Sequence, residues 1–593
     1  MQKPMLFLKK YKKLLVITSI VIASLVLLIL VAQFIIGNIL QNRLEDSLSS
    51  SEKKDYKISV GNVKVNLFTM TLILKDVQIE PDSLLISQIK LQKWSQKKGF
   101  RINIPNLRVR YIGVISFIAD KYVDVGSFVI KNAKIDLLTS GKSTIPKAKK
   151  VDKPATPFNI DSIVLPGING AILNRFLVKD FAFNIIDIKH NDTIFQTKSF
   201  NVQIKNIALI KNEDDSSSFR LMLKDFDFHM SDERFQLPGD KYILSFDDMS
   251  FNMNQNQLIF KKLKITPRYS QSSMVELSEF QYEIYNCEIE KAEFNSLYPL
   301  NIIRSSKIFM SDVLIHNMKL SIFKDKRRPF DTKKRPKLPQ QLLKSLKQDL
   351  YIDSLIINDS ELIYAERHDM MEEPMVVTLG KLNVKVKDIT SIFDSIVKGT
   401  VMSIRLQAKL QKKIPMGVNI YFPMRSIADT FSFNGWLGNG DMELFNNVTL
   451  PAIGVKFKSG YLDGLSFKAR ANPTYSMGEM TMLYHDLNGI VVRKDMKKTN
   501  KFLSWAANQI INKNNPAKNK ENRVESMFFN RVMYKGLGNF LWKTLQSGIL
   551  GTIIPGMDNK PKKEIKTVLG TDKKDIRKRK REEKKKRQNN LSK

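Results

Sequence analysis

The sequence predicts a mainly β protein: a single N-terminal transmembrane helix, an elongated, curled and repetitive β-sheet, C-terminal helices and a disordered basic tail. Three observations carry that prediction. Residues 14–36 are uncharged, a strand-like octet returns seven times between residues 72 and 362, and residues 560–593 hold 16 Lys/Arg against 5 Asp/Glu. A chain of 593 residues exceeds one ordinary domain unless a repeat spreads it into one long body. Its 43 % of hydrophobic residues can build a core, and its net charge of +37 favours anionic surfaces. The lone cysteine, Cys287, excludes an internal disulfide.

Residues 1–13 are a basic N-terminus carrying Lys3, Lys9, Lys10, Lys12 and Lys13. The 23 residues of 14–36 make a helix of about 34 Å, enough to span a bilayer. The lysine excess before it places the N-terminus in the cytoplasm and the bulk of the chain across the membrane. A cleaved signal peptide is the competing reading. It asks for a shorter apolar run and a small-x-small exit, whereas residues 33–39 read QFIIGNI, so a retained anchor is expected. Ile39, Leu40, Leu44 and Leu48 extend the helix through 37–54, where serines end it.

Strand patterning fills 55–138, 158–323 and 342–495. Its unit is apolar-x-apolar, two polar residues, apolar-x-apolar. The copies are 72–79 (Leu72, Leu74, Val77, Ile79), 128–135 (Phe128, Ile130, Ala133, Ile135) and 176–183 (Phe176, Val178, Phe181, Phe183). They continue as 202–209 (Val202, Ile204, Ile207, Leu209), 258–265 (Leu258, Phe260, Leu263, Ile265) and 313–320 (Val313, Ile315, Met318, Leu320). The seventh, 355–362, has Leu355, Ile357 and Leu362, with Ser360 in one apolar place. Within each half the apolar residues share a strand face, but the step of three between halves would flip the second half over. The polar pair, usually ending in Asp or Asn, repairs the phase by a bulge or a tight turn. All the named apolar residues then point into one interior.

The Lys/Pro-rich stretches 139–157 and 324–341 read as an exposed loop and a basic linker. A short helix is expected over 342–350, before a strand from Tyr351. The region 501–555 has helical spacing over 502–512 and 524–554, apolar enough to plug the sheet or to lie on a membrane surface. The tail 560–593, with Lys578, Arg579, Lys580, Arg581, Lys584, Lys585, Lys586 and Arg587, suits anionic head groups.

No catalytic signature stands in a usable context. Gly141-Lys142-Ser143-Thr144 resembles the end of a P-loop, but Asp136 occupies the place of its first glycine and Pro146 blocks the helix. The five histidines lack metal-ligand spacing, and acidic pairs such as Asp247-Asp248 sit in turn-like stretches. No enzyme, metal or cofactor is expected.

The anchor followed by residues 58–67 (ISVGNVKVNL) and the first octet resembles the AsmA-like family, itself distantly similar to TamB and to chorein-type bridge-like lipid-transfer proteins. Residues 338–350 with 352–366, and 460–467 with 478–487, resemble recurring elements of those proteins. The likeness covers most of 1–555; the basic tail and the Lys/Pro loops depart from it. It implies an inner-membrane-anchored periplasmic protein whose sheet curls into a long apolar groove. The partners it implies are phospholipids, and outer-membrane or envelope assembly proteins. The residues themselves leave two solutions for a sheet apolar on one side: acyl chains fill it, or it closes on itself as an envelope scaffold. Nucleic-acid binding by the tail conflicts with the topology.

Overall fold

A computed structural model describes residues 56–91, 99–140, 167–197, 200–211, 218–237, 239–305, 307–368, 373–392, 400–491, 511–518 and 520–554. The expected anchor (14–36), its flanks, most of 502–512 and the basic tail lie outside the described residues. Among the described residues, no helix is long and apolar enough to cross a membrane. Strands dominate, and hydrogen bonding joins 23 of them into one large sheet. The chain divides into two compact units: Met1–Asp240 with Leu244–Ile259, and Lys241–Ile243 with Phe260–Lys593.

The first unit opens with the antiparallel pair β1 (Tyr56–Asn66) and β2 (Thr71–Pro81), then α1 (Ser83–Leu91) and β3 (Gly99–Ile112) against β2. Helix α2 (Val114–Asp120) leads to β4 (Tyr122–Lys131) and β5 (Lys134–Thr139), both antiparallel to β3. Strand β6 (Gly170–Asp187) runs parallel to β4 and β5. Then β7 (Asp192–Gln196) and β8 (Phe200–Lys211) pair antiparallel to β6, and β9 (Phe219–Gln236) to β8. Next along the chain come β10 (Tyr242–Asn252) and β11 (Gln257–Pro267).

The second unit repeats the pattern. After α3 (Gln271–Glu276) come β12 (Glu283–Asn295), α4 (Pro299–Ser305), β13 (Lys307–His316) and β14 (Lys319–Asp325). Both β13 and β14 are antiparallel to β12 and parallel to β15 (Asp349–Arg367), which follows α5 (Pro339–Lys344). A meander continues through β16 (Met375–Thr390), β17 (Val401–Leu410), β18 (Ile414–Pro423) and β19 (Phe431–Leu437). Then come the two-residue β20 (Gly440–Asp441), a 3-10 turn (Met442–Phe445) and α6 (Asn446–Ile453). The end is β21 (Val455–Ala471), β22 (Tyr475–Val491), β23 (Val524–Asn530) and α7 (Leu537–Ile553). The octets explain the duplication. In parallel register Phe128 lies beside Phe176 and Ile135 beside Phe183; likewise Val313 lies beside Leu355 and Leu320 beside Leu362.

The phase of the octets is repaired by a single device. The second residue of each polar pair has a left-handed backbone: Asp76, Asn132, Asp180, Asn206, Lys262, Asn317 and Asp359, with φ between 46° and 58°. Asn and Asp tolerate this conformation because their short side chains bond locally. At Asn132 and Asn317 the ladder breaks into β4/β5 and β13/β14, while β2 stays one strand with pairing resumed on both sides of Asp76. Either way the two halves share a face: Leu72, Leu74 and Val77 belong to one cluster with Val60, Val63, Val65 and Ile104.

Three expectations are corrected. The helix expected over 524–554 is a strand over Val524–Asn530 and a helix only over Leu537–Ile553. Glu525 and Met527 are both buried, a period of two, and β22 offers the segment its open edge. The helix expected over 342–350 is α5, which starts earlier at Pro339 and yields to β15 at Asp349. Proline suits a first helical turn, and Gln341 accepts the Leu338 N–H at 3.0 Å. The stretch 324–341 is not wholly an exposed linker, since Leu338 and Gln340 are fully buried and Leu338 joins the main core.

That core lies in the second unit. It gathers Ile420, Phe422, Phe431, Phe433, Leu462, Met480, Tyr484, Met527 and Phe540, with Leu541, Leu545 and Ile549 packed against it. Helix α7 approaches closely through glycine: a Cβ on Gly548 would stand 2.7 Å from Met527 Cγ, and one on Gly551 2.7 Å from Glu525 Cγ.

Candidate functional site

The apolar octet positions of the first unit lie opposite one another in every ladder that joins them, so they form rows across the strands. One row runs Val65, Leu72, Val109, Phe128, Phe176, Ile204, Phe226 through β1, β2, β3, β4, β6, β8 and β9. The next, two residues along each strand, runs Val63, Leu74, Leu107, Ile130, Val178, Val202, Phe228. Seven strands at about 4.8 Å spacing make each row roughly 29 Å long, close to the ~30 Å of a bilayer's hydrocarbon core. Beyond the left-handed residues a third row links Ile58, Ile79, Ile102, Ile135 and Phe183. On the opposite face, the row between the first two reads Lys64, Ile73, Arg108, Val129, Leu177, Gln203, Asp227. That face is mixed, with Ile73, Val129 and the buried Leu177 among charged and polar residues, whereas the first two rows are apolar at every position.

Of the first two rows only Val63 and Val178 are buried; the others are half-buried. Aromatic rings thicken this face. Phe128 stacks on Phe176 at 5.7 Å, Phe181 meets Phe200 edge-on at 4.6 Å and Phe195 stacks on Phe235 at 4.9 Å.

The remaining predicted residues fall into the same scheme. Ile207 faces Leu173 and Leu223, and Leu209 faces Ala171 and Leu221. Leu258, Phe260, Leu263 and Ile265 lie half-buried on β11, Phe260 being 6.1 Å from the Phe294 ring. In the second unit a row runs Phe294, Val313, Leu355, Val386, Ile404, Ile420, Phe433, Ala469, Gly478, Met527. Its neighbour runs Ala292, Ile315, Ile357, Val384, Leu406, Val418, Gly435, Phe467, Met480. These rows pass from strands that are half-buried apart from Ala292 and Val313 to strands under α7 and α5. Met318, just before β14, and Leu320 on it continue the face. Ser360, the odd serine of its octet, is buried because its hydroxyl accepts the Met318 N–H at 2.9 Å, where the β13/β14 break leaves that donor without a ladder partner.

Sequence reasoning missed the octets on partner strands: 102–109, 171–178, 221–228 and 384–391. Asp388 in the last has the same left-handed backbone, with φ 59°. The pattern was present in all four. In 102–109 Pro105 stands in the polar pair, and in 384–391 a serine fills the last apolar place.

Titratable groups are used for pairing. Each of the five histidines reaches a carboxylate: His190 to Asp187, His229 to Asp248, His316 to Glu293, His368 to Glu366 and His485 to Asp463. In the second unit Glu366 also accepts from the Tyr364 hydroxyl at 2.6 Å and pairs with Lys326. Burial raises its carboxyl, and the bonds from Lys326, Tyr364 and His368 outweigh that and hold it below the usual range. Burial, then the Glu366 charge, pushes the Tyr364 phenol up. Hydrogen bonds from Arg327 hold Asp325 low as well. These groups satisfy one another. Among the described residues, no cluster of His, Cys, Asp and Glu is arranged to hold a metal ion. No family model matches the chain, and no curated protein matches it.

Proposed function

We propose that this chain is a membrane-anchored lipid-binding protein that holds, and conveys along its β-sheet, the acyl chains of phospholipids. The observation that carries this reading is the pair of seven-strand rows of the first unit, apolar at every position and half-buried at all but Val63 and Val178, set against a mixed opposite face. Each CH₂ withdrawn from water onto such a surface gains about 0.8 kcal/mol, so a two-chain lipid laid across the rows is held without any catalytic group. Equivalent rows on successive strands give similar environments along the path, which movement between sites requires. The anchor expected over 14–36 and the basic tail supply attachment and attraction to anionic head groups. The resemblance of 58–67 to AsmA-like proteins agrees with an inner-membrane, periplasm-facing arrangement. The second reading, an envelope scaffold with a closed β-core, draws support from the side-chain-filled core under α7.

Photo-crosslinking separates them. A benzophenone amino acid is placed at Val109, Phe176 or Phe226 in the full chain expressed in membranes, with Arg108 and Gln203 on the opposite face as controls. Phospholipid adducts at the row positions and none at the controls are expected. Equal labelling on both faces, or none on either, leaves only the scaffold.

A further inference from the structure

One end of the first unit exposes apolar side chains that the fold does not demand. In the turn between β1 and β2, Phe68 is 63 % and Met70 45 % exposed; at the end of β3, Tyr111 is 65 % exposed. Helix α2 adds Ile115 at 84 %, Phe117 at 50 % and Ile118 at 76 %. The two elements are adjacent, for the Ile112 N–H donates to the Met70 carbonyl at 3.3 Å. The helix is also tied down: the Gly113 N–H bonds the Asp124 carbonyl at 2.8 Å, and the Asn169 N–H bonds the Lys121 carbonyl at 2.8 Å.

The internal duplication supplies a control. The β10–β11 turn is built like the β1–β2 turn. The Thr69 N–H bonds Asn66 Oδ1 at 3.0 Å, and the Gln255 N–H bonds Asn252 Oδ1 at 3.0 Å. Met70 and Asn256 both have left-handed backbones, with φ of 44° and 48°. The second turn places Asn254 and Asn256 where the first has Phe68 and Met70. Asparagine is the residue such a backbone favours, whereas methionine is strained there. At the left-handed position the backbone favours asparagine, so Met70, beside the exposed Phe68, answers another requirement. Contiguous exposed apolar side chains mark a membrane or protein contact, and the charged rim decides between them. Arg110, Lys121 and Lys211 are exposed around the patch against exposed Asp120, a basic collar suited to anionic phospholipid. From the expected span at 36 to Tyr56, 19 residues reach about 65 Å when extended but only about 27 Å as the helix expected over 37–54, against the roughly 36 Å that the 11 residues of β1 cover. Contact of the tip with the anchoring bilayer therefore requires part of 37–54 to be extended or β1 to lie tilted.

We infer that the Phe68/Met70 turn and α2 form a tip that enters the head-group region of an anionic bilayer. The inference rests on the membrane-anchored reading above, and its test separates the two. The full chain with Cys287→Ser carries a bimane label at Ile118→Cys or, as control, at Gln255→Cys. Each is reconstituted into phosphatidylglycerol-containing vesicles with nitroxide-labelled lipid. Quenching at Ile118 several-fold above that at Gln255 is expected, and it falls to the control level in an Ile115→Ser/Phe117→Ser background, which changes only exposed side chains. Equal quenching at the two positions in vesicles that the protein still floats with overturns the tip while leaving the anchor standing. Cross-linking of Ile118→Cys between copies in that case assigns the patch to a second chain. Failure to float overturns both. Lipid adducts on the apolar rows are a separate readout that this result does not move.

Discussion

In the second unit one apolar row crosses two different regions. At Phe294, Leu355, Val386 and Ile404 the side chains are half-buried, with Val313 alone among them buried; at Ile420, Phe433, Ala469 and Met527 all are buried. The strand chemistry does not change along the row. The cover changes, since α7 and α5 lie over the far strands and add Phe540, Leu541, Leu545 and Leu338 to the core. The comparison teaches that a row apolar along its length is closed continuously by the protein's own side chains only toward the C-terminus, Val313 and Ala292 being isolated buried positions before it. The first unit, whose rows carry the proposed lipid path, resembles the uncovered region in burial.

Four measurements break or sharpen that contrast. The largest effect is expected at the closed core: Phe433→Ala loses about 3–5 kcal/mol in chemical denaturation, while Phe176→Ala, already half in water, loses less than half as much. Equal losses erase the distinction between the regions. Next, Gly548→Val drives a branched side chain against Met527 and Met480 and is expected to cost about 1–3 kcal/mol, with a rise in binding of an apolar dye as α7 loosens. A stable, dye-silent variant shows that α7 is not the lid.

Smaller effects belong to the left-handed positions. Asn317→Val is expected to lose about 1–2 kcal/mol, and Lys262→Asn to gain up to about 1 kcal/mol; a loss for Lys262→Asn contradicts the phase-repair account. The smallest is a pH effect in the second unit. The folded-state values of Glu366 and Asp325 lie below their ordinary 4.5 and 3.8, so their stabilisation is complete above those values. It is lost as pH falls through the lowered folded values. Thermal melts of Glu366→Gln and the parent chain are expected to converge on acidification below pH 4.5.

How much was legible varies with the range of the interaction. The octets were readable because period-two patterning and a misplaced step of three are local facts. The Asp or Asn at the step announced its backbone, as at Asp76 and Asn317, though Lys262 shows the rule is a preference. The partner octets 221–228 and 384–391 carried the same signal and needed only a systematic count. The strand at Val524–Asn530 was not legible. Seven residues with Glu525, Met527 and Phe529 fit either period, and the free edge of β22 made the choice. Burial of Leu338 within a basic stretch depended likewise on a core assembled from strands as distant as those of Met480 and Met527.

The sequence by itself determined that the strands would be apolar on one side and that a left-handed residue would keep both halves of each octet on that side. Tertiary structure decided which octets lie beside which, that the rows align across seven strands, and where helices cover them. The reason is physical: face and phase follow from the covalent spacing of a strand, whereas register and cover follow from which distant segment hydrogen-bonds or packs there.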